Sequence, residues 1–182
     1  MKKILGLVAG LMMVASVSFA GTATTKNFEL GINGGVGIAT TSGYDLGFGG
    51  QVTGLYRADE NLAFGLGVGF NTFSVTGSTS AAGASTSDLS FLAQLKYAFG
   101  TDKTKPYILV DAGMGDYISS ITIGSLSVSA SAMYPEIGGG VGVQFPLGTD
   151  ANLFLQGTAN VVLGNGATFT YIPLDLGVNF DM

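Results

Sequence analysis

The chain contains no cysteine and no histidine, and only 10% of its 182 residues are charged. Without cysteine there are no disulfides and no thiolate metal sites, and without histidine the commonest metal ligand and general base are missing. No metal site, no cofactor and no catalytic residue are expected. After the N-terminus no segment supplies a continuous apolar run of helix length, so no later helix is expected to span a bilayer. Basic residues are also scarce. Without Lys2 and Lys3 of the expected leader, the seven basic residues fall to five against twelve acidic, a net charge near −7. Nucleic acid is a poor partner for such a surface.

What is present begins with a leader over residues 1–20. Lys2 and Lys3 precede an apolar run of about 11 residues, too short for the ~20 of a spanning helix. Ser18-Phe19-Ala20 then supplies the small residues at which a signal peptidase cuts. The remainder, residues 21–182, fits one domain. Its apolar content is high, 47% over the whole chain, yet it is interrupted at nearly every second residue. Such alternation predicts strands with one oily face. In lipid every backbone N–H and C=O must be paired internally, so oily-faced strands of this kind close into a barrel.

Eight strands are expected. The first, over residues 26–39, points Phe28, Leu30, Ile32, Val36 and Ile38 outward and Glu29 and Asn33 inward. The second (44–57) points Leu46, Phe48, Val52 and Tyr56 outward and Gln51, Thr53 and Arg57 inward. In the third (62–75) Phe64, Leu66, Val68 and Phe70 oppose Gly65, Gly67, Gly69 and Asn71, and the alternation blurs beyond Asn71. Residues 76–88, rich in Gly, Ser, Thr and Ala without apolar periodicity, read as a loop. The fourth strand (89–99) puts Gln94 and Lys96 inside, and the fifth opens at Pro106 with Asp111 inside. A Gly124-Ser125 turn leads to the sixth, which carries Glu136 inside and runs to Phe145. The seventh covers residues 151–163. In the eighth, from Tyr171, the residues Ile172, Leu174, Leu176, Val178 and Phe180 face one way and Asp175 and Asn179 the other.

Charged tight turns follow strands two, four and six, whereas polar, Ser/Thr-rich links follow one, three, five and seven. Outward Phe28, Tyr56, Tyr97, Phe99, Phe145 and Phe180 form an aromatic girdle at the tight-turn rim; Phe48, Phe70, Phe91, Tyr117 and Phe169 sketch one at the other. A soluble barrel would carry Lys and Glu on its polar face. Here that face is Gly, Ser, Thr, Asn and Gln, which suits a narrow lumen.

The pattern, with Pro106-Tyr107 opening a strand and Leu174-Asp-Leu-Gly-Val-Asn-Phe180 near the end, resembles the small outer-membrane barrels typified by the OmpA membrane domain and OmpX. The resemblance covers about residues 26–180. It implies an all-β, eight-stranded antiparallel up-and-down transmembrane barrel in the bacterial outer membrane, with both termini on the periplasmic side. Phe180 matches the terminal aromatic that the barrel assembly machinery reads in that family, although Asp181 and Met182 follow it. Partners implied are outer-membrane lipid and lipopolysaccharide, with periplasmic chaperones and the assembly machinery during biogenesis, for a monomer. Enzymes on such barrels use a histidine, which this chain lacks; a structural barrel is expected, with a narrow channel or a loop-mediated adhesin as alternatives.

Two polar clusters are candidate sites. Gln94 falls opposite Asp111, with Lys96 and Glu136 nearby, which suggests a Lys96, Asp111, Glu136 network plugging the lumen. At the periplasmic end Glu29, Arg57, Asp175 and Asn179 allow a second pairing.

Overall fold

The computed structural model describes residues 27–77, 82–100, 103–164 and 168–182. The leader, Lys26 and parts of three links (78–81, 101–102 and 165–167) lie outside the described residues. Eight antiparallel strands follow one another: β1 (Phe28–Ala39), β2 (Tyr44–Arg57), β3 (Leu62–Val75), β4 (Ala82–Ala98), β5 (Lys105–Ile123), β6 (Leu126–Pro146), β7 (Ala151–Leu163) and β8 (Thr168–Asp181). Each pairs with its chain neighbour, and β8 returns to β1 to close the barrel. The seam at the tight-turn rim is sealed by reciprocal backbone bonds: Phe28 N donates to Met182 O (3.1 Å) and Met182 N to Phe28 O (2.8 Å).

Side-chain alternation follows the expected parity through the lower part of every strand. Ile32, Leu66, Val110, Val141 and Leu176 are exposed on the outer wall, while Glu29, Gln94, Asp111 and Glu136 are buried inside. Inward glycines make room for bulky neighbours. Gly142 lies under the Tyr107 ring, Gly177 under Phe154, and Gly37 and Gly47 under Phe73.

Three strands run longer than the other five, β5 and β6 to the expected Gly124-Ser125 turn and β4 past its expected start. β4, β5 and β6 span 17, 19 and 21 residues, against the ~10 needed to cross the lipid band of a barrel. Residues 82–88, expected as loop, belong to β4 and pair with β5 from Ala82↔Ile123 to Asp88↔Tyr117. The β5–β6 hairpin is continuous down to Ile123↔Leu126. Gly124, at φ 59°, takes the first central position of the two-residue turn, where a left-handed backbone suits glycine.

The faces exchange polarity where these strands leave the lower barrel. Outward positions turn from Leu89 and Phe91 to Ser85 and Ser87, from Val110 and Met114 to Ser120 and Thr122, and from Ile137 to Ser127, Ser129 and Ser131. β3 changes from Phe70 to Thr72 and Ser74, and β8 from Leu174 to Thr170 and Thr168. Positions of inward parity change the opposite way, to Phe73, Phe169 and Tyr171, which are buried, and to Ile121, Ile123, Leu126 and Val128, which stay exposed on the projecting hairpin. Hydroxyl pairs form a ladder on the outer face, Ser120 with Ser129 at 3.0 Å and Thr122 with Ser127 at 3.3 Å. An oily exterior suits hydrocarbon and a hydroxyl exterior suits water, so the exchange marks the upper edge of the lipid band.

Two expected girdle residues are corrected by the same exchange. Tyr117 and Phe169 face the lumen, Phe169 being 8% exposed, and their rings meet at 5.1 Å. Tyr44 joins them, 5.0 Å from Phe169, because the β2–β3 register shifts between Tyr44 and Gly47. Phe48, Phe70 and Phe91 remain on the outer wall.

An arginine at Leu66, on the outer wall, is expected to cost about 2–4 kcal/mol in lipid, whereas one at Ser131, beyond the exchange, stays within ~0.5 kcal/mol. Urea unfolding in lipid vesicles measures both. At the β2–β3 turn the backbone N–H groups of Asn61 and Leu62 each donate to Asp59 Oδ1 at 2.7 Å, and these bonds hold the Asp59 carboxyl below its ordinary range. Ionised Asp59 therefore orders the turn at neutral pH. That contribution is lost as pH falls below about 4, to be seen as a change in the Asn61 and Leu62 amide resonances.

Candidate functional site

The lumen is the place where this chain buries its polar chemistry, and it divides into three layers. At the tight-turn rim Glu29, 1% exposed, accepts from Arg57 Nη2 at 2.8 Å and from Lys96 Nζ. Arg57 also reaches Asp181 Oδ1 at 2.5 Å, and Asn152 Nδ2 donates to Asp181 Oδ2 at 3.1 Å. Lys96 Nζ lies 3.5 Å from Gln144 Oε1 and 5.4 Å from the centre of the Tyr107 ring. Two cations and two anions balance here, which is how charge is tolerated in a narrow interior. Below this plug a vestibule of about 620 Å³ carries Lys103 and Lys105 on its wall.

The middle layer is polar and nearly full. Gln94 Nε2 donates to Gln51 Oε1 at 3.2 Å, and Tyr107 Oη donates to Gln156 Oε1 at 2.9 Å. A cavity of about 20 Å³ remains among Gln51, Asn71, Asp111, Gln156, Asn160 and Asp175. That is room for about one water.

The upper layer centres on Tyr171, which is 0% exposed. Its hydroxyl lies 2.7 Å from Glu136 Oε1 and 3.2 Å from Asp88 Oδ2, while Asn160 Nδ2 and Asn71 Nδ2 donate to it at 3.2 and 3.4 Å. Above this, Tyr171, Phe73 and Phe169 pack with centroids 5.3–5.7 Å apart, with Val162 buried among them and Ala39, Tyr44, Tyr117 and Tyr134 around them. Every strand except β4 contributes to this aromatic stopper.

The candidate residues regroup relative to the sequence reading. Gln94 does oppose Asp111 in the ladder, but Lys96 turns to Glu29 and Gln144, away from Asp111 and Glu136. Long side chains reach along the strand, and Glu29 offers Lys96 a carboxylate on the neighbouring rim. Arg57 and Glu29 do meet. Asp175 lies opposite Gly35 and Gln156 in mid-barrel, too far up the strand for the rim pair, and Asp181 takes the place expected for it. Asn179 stands one layer in, across Gly31 from Thr53. Phe180 is outward and 45% exposed.

Asp88, Tyr171, Asn160 and Asp181 are among the residues that belong to the lumen layers but to neither expected cluster. Asp88 lay in a stretch without apolar alternation and Asp181 beyond the closing aromatic. Tyr171 had a signal: it shares the inward parity of Asp175. Among the described residues no group of three or more acidic side chains is arranged to hold a metal.

Lys96→Met is expected to lower the stability of the detergent-folded barrel by about 2 kcal/mol, less than the ~3–5 kcal/mol of a wholly orphaned buried charge, since Arg57 still faces Glu29. Adding Glu29→Gln should recover part of the loss. Equilibrium unfolding of the single and double variants measures both.

Residues 7–180 match the family model described as the outer membrane protein beta-barrel domain. Neisserial surface protein A has the same fold at 18% identity, with a TM-score of 0.66 over 86% of this chain and 97% of that one. A major outer membrane protein from Thermus thermophilus aligns with a TM-score of 0.58 at 13% identity, covering 85% of this chain and 99% of that one. Ail, the attachment invasion locus protein of Yersinia pestis, aligns at 0.55 and 15% identity, over 84% and 97% of the two chains. No protein with a curated description matches the sequence. With the family model covering nearly the whole described barrel, this chain belongs to the outer-membrane β-barrel domain family.

Proposed function

We propose that this protein is a structural component of the bacterial outer membrane, a monomeric barrel exported by the leader over residues 1–20 and closed to solute flow. The observation that carries this reading is the filled lumen. The Glu29, Lys96, Arg57 plug and the Tyr171, Phe73, Phe169 stopper bracket a cavity of about 20 Å³, a volume that holds about one water and no solute. The tight-turn rim then faces the periplasm and the β4–β6 extension faces outward. Lipid and lipopolysaccharide surround the wall, and chaperones and the assembly machinery deliver the chain, with Phe180 as its recognition residue. No catalytic role is assigned to the lumen carboxylates.

A second reading, adhesion through the external surface, draws support from the β4–β6 extension. Residues 126–135 of β6 pair with β5 on one side, and the β6–β7 ladder begins only at Glu136. Such an edge presents backbone groups to a partner strand.

Single-channel recording on the signal-free, folded protein in planar bilayers is expected to show no discrete conductance steps. Steps altered by Asp111→Asn or Glu136→Gln would establish a narrow channel instead.

A further inference from the structure

We propose that Asp88, Glu136 and Tyr171 form a buried proton-binding site, in which the two carboxyls hold one proton between them and thereby latch the aromatic stopper to the barrel wall. The inference goes beyond the structural reading above and does not depend on whether the lumen conducts.

Counting hydrogens leads to it. Both carboxyls are 0% exposed, and both reach the one hydroxyl of Tyr171, at 2.7 Å from Glu136 and 3.2 Å from Asp88. A tyrosine hydroxyl has one hydrogen to give. If it donates to Glu136, the Asp88 oxygen meets a lone pair, unless Asp88 itself carries a hydrogen; the converse assignment has the same outcome with the carboxyls exchanged. The amides of Asn160 and Asn71 also point their hydrogens at Tyr171, and Asn160 donates to Glu136 as well, at 3.3 Å. They supply donors to one side of the cluster only. On the other side Asp88 Oδ1 and Glu136 Oε2 are buried without a partner, and both crowd the position where Gly115 lacks a side chain. Two facing acceptors, each sealed from water, require a hydrogen between them or a counter-charge beside them.

No counter-charge is available among the described residues. The basic residues outside the leader are Lys26, Arg57, Lys96, Lys103 and Lys105. Lys26 precedes the described residues, and the other four line or border the periplasmic vestibule. Lys96 is the one that shares β4 with Asp88, eight residues away, or about 26 Å along a strand. The groups that do face the site make the charge problem worse. β5 brings Asp111 and Tyr117, with Asp116 adding negative charge from the outward face of the same strand, β2 brings Tyr44 and β6 adds Tyr134. A hydrated ion has no room between the two carboxyls, because even a Cβ at Gly115 would overlap Asp88 Oδ1 and crowd Glu136 Oε2. A proton needs no volume.

The consequence is mechanical as well as electrostatic. Tyr171 belongs to the stopper through Phe73 and Phe169 and to the polar site through its hydroxyl. Asp88 comes from β4, Glu136 from β6 and Tyr171 from β8, so the shared proton ties three strands at the level where the lipid band ends. Losing it leaves Asp88 Oδ1 and Glu136 Oε2 as two buried anionic oxygens with no donor between them. The folded form then binds more protons than the unfolded chain in the window above the ordinary carboxyl range, so stability declines as pH rises through that window.

Infrared spectroscopy of the detergent-folded protein tests the proposal. At neutral pH the wild-type spectrum minus that of Asp88→Asn, and minus that of Glu136→Gln, is expected to contain the carbonyl band of a protonated carboxyl, which vanishes from the wild type on alkaline titration. Each variant places a neutral amide at one member of the pair and leaves the other ionised and solvated by donors, so each should abolish the band and the alkaline decline in heat stability together. If one variant fails to fold, the other makes the same comparison, since the proton belongs to the pair. Difference spectra at neutral pH that contain carboxylate bands alone, the protonated-carboxyl absorption being the same in the wild type and in the folded variants, would overturn the assignment.

Discussion

The constraint on which this structure depends is that backbone polar groups facing hydrocarbon have no water to pair with. A strand satisfies that condition only when both of its neighbours are in place, so β1 must meet β8 and the sheet has no free edge inside the lipid band. Closure with eight strands fixes a narrow interior. The alternate residues of every strand are thereby forced into a space that side chains fill, and the contents of the lumen become a packing problem before they become a functional one. Glycines at the inward positions of β1, β2, β6 and β8 are part of the solution: each removes a side chain where Phe73, Phe154 or Tyr107 from another strand, or Asp175 beside Gly35, needs room.

Above the lipid band the constraint relaxes, and the chain exploits this unequally. β4, β5 and β6 continue as a three-stranded sheet whose edge at residues 126–135 is left free of a barrel neighbour, which lipid would not permit. The exchange of polarity between the faces is the trace of this boundary. Within the barrel mouth the apolar inward residues Phe73, Phe169 and Tyr171 supply the stopper that closes the lumen from outside, while Ile121, Ile123, Leu126 and Val128 on the projecting hairpin remain exposed. The boundary and the stopper are two readings of one sequence pattern.

This exchange explains where the sequence was legible and where it was not. β2, β3 and β7 were bounded correctly from alternation because their lower halves are simple oily-out strands. Beyond Asn71 alternation did not end but changed sign, with Thr72 and Ser74 outward and Phe73 inward, whereas residues 82–88 carry no apolar face, with Ser85 and Ser87 outward and Thr86 and Asp88 inward. A reading that takes the oily face as outward sees noise there, and so residues 82–88 looked like loop and Phe169 and Tyr117 like girdle. The polar clusters failed for a different reason. Strand parity and pairing say which residues share a lumen layer, as with Gln94 and Asp111, but not how far a lysine reaches along the axis. Lys96 had carboxylates in two directions, and the choice of Glu29 depends on side-chain length and on Gln144 and Tyr107 beside it.

The placement of charge follows from the direction in which such a barrel meets its membrane. A route that inserts it from the side holding both termini must carry the four opposite links through hydrocarbon. Residues 40–43, 76–81, 124–125 and 164–167 contain no charged side chain, which spares the ~2–4 kcal/mol that an arginine or lysine costs at mid-bilayer. The turns that stay behind hold Asp59, Glu60, Lys103 and Asp150, where charge is free to hydrate. With the cations of the described residues, Arg57, Lys96, Lys103 and Lys105, confined to that side, ion pairing closes the lower lumen, but the same device is not available above. The upper lumen is instead closed by aromatic packing and by carboxyls that share hydrogens, so the two ends of one narrow barrel are sealed by different chemistry because the basic residues among the described residues all lie at the tight-turn end.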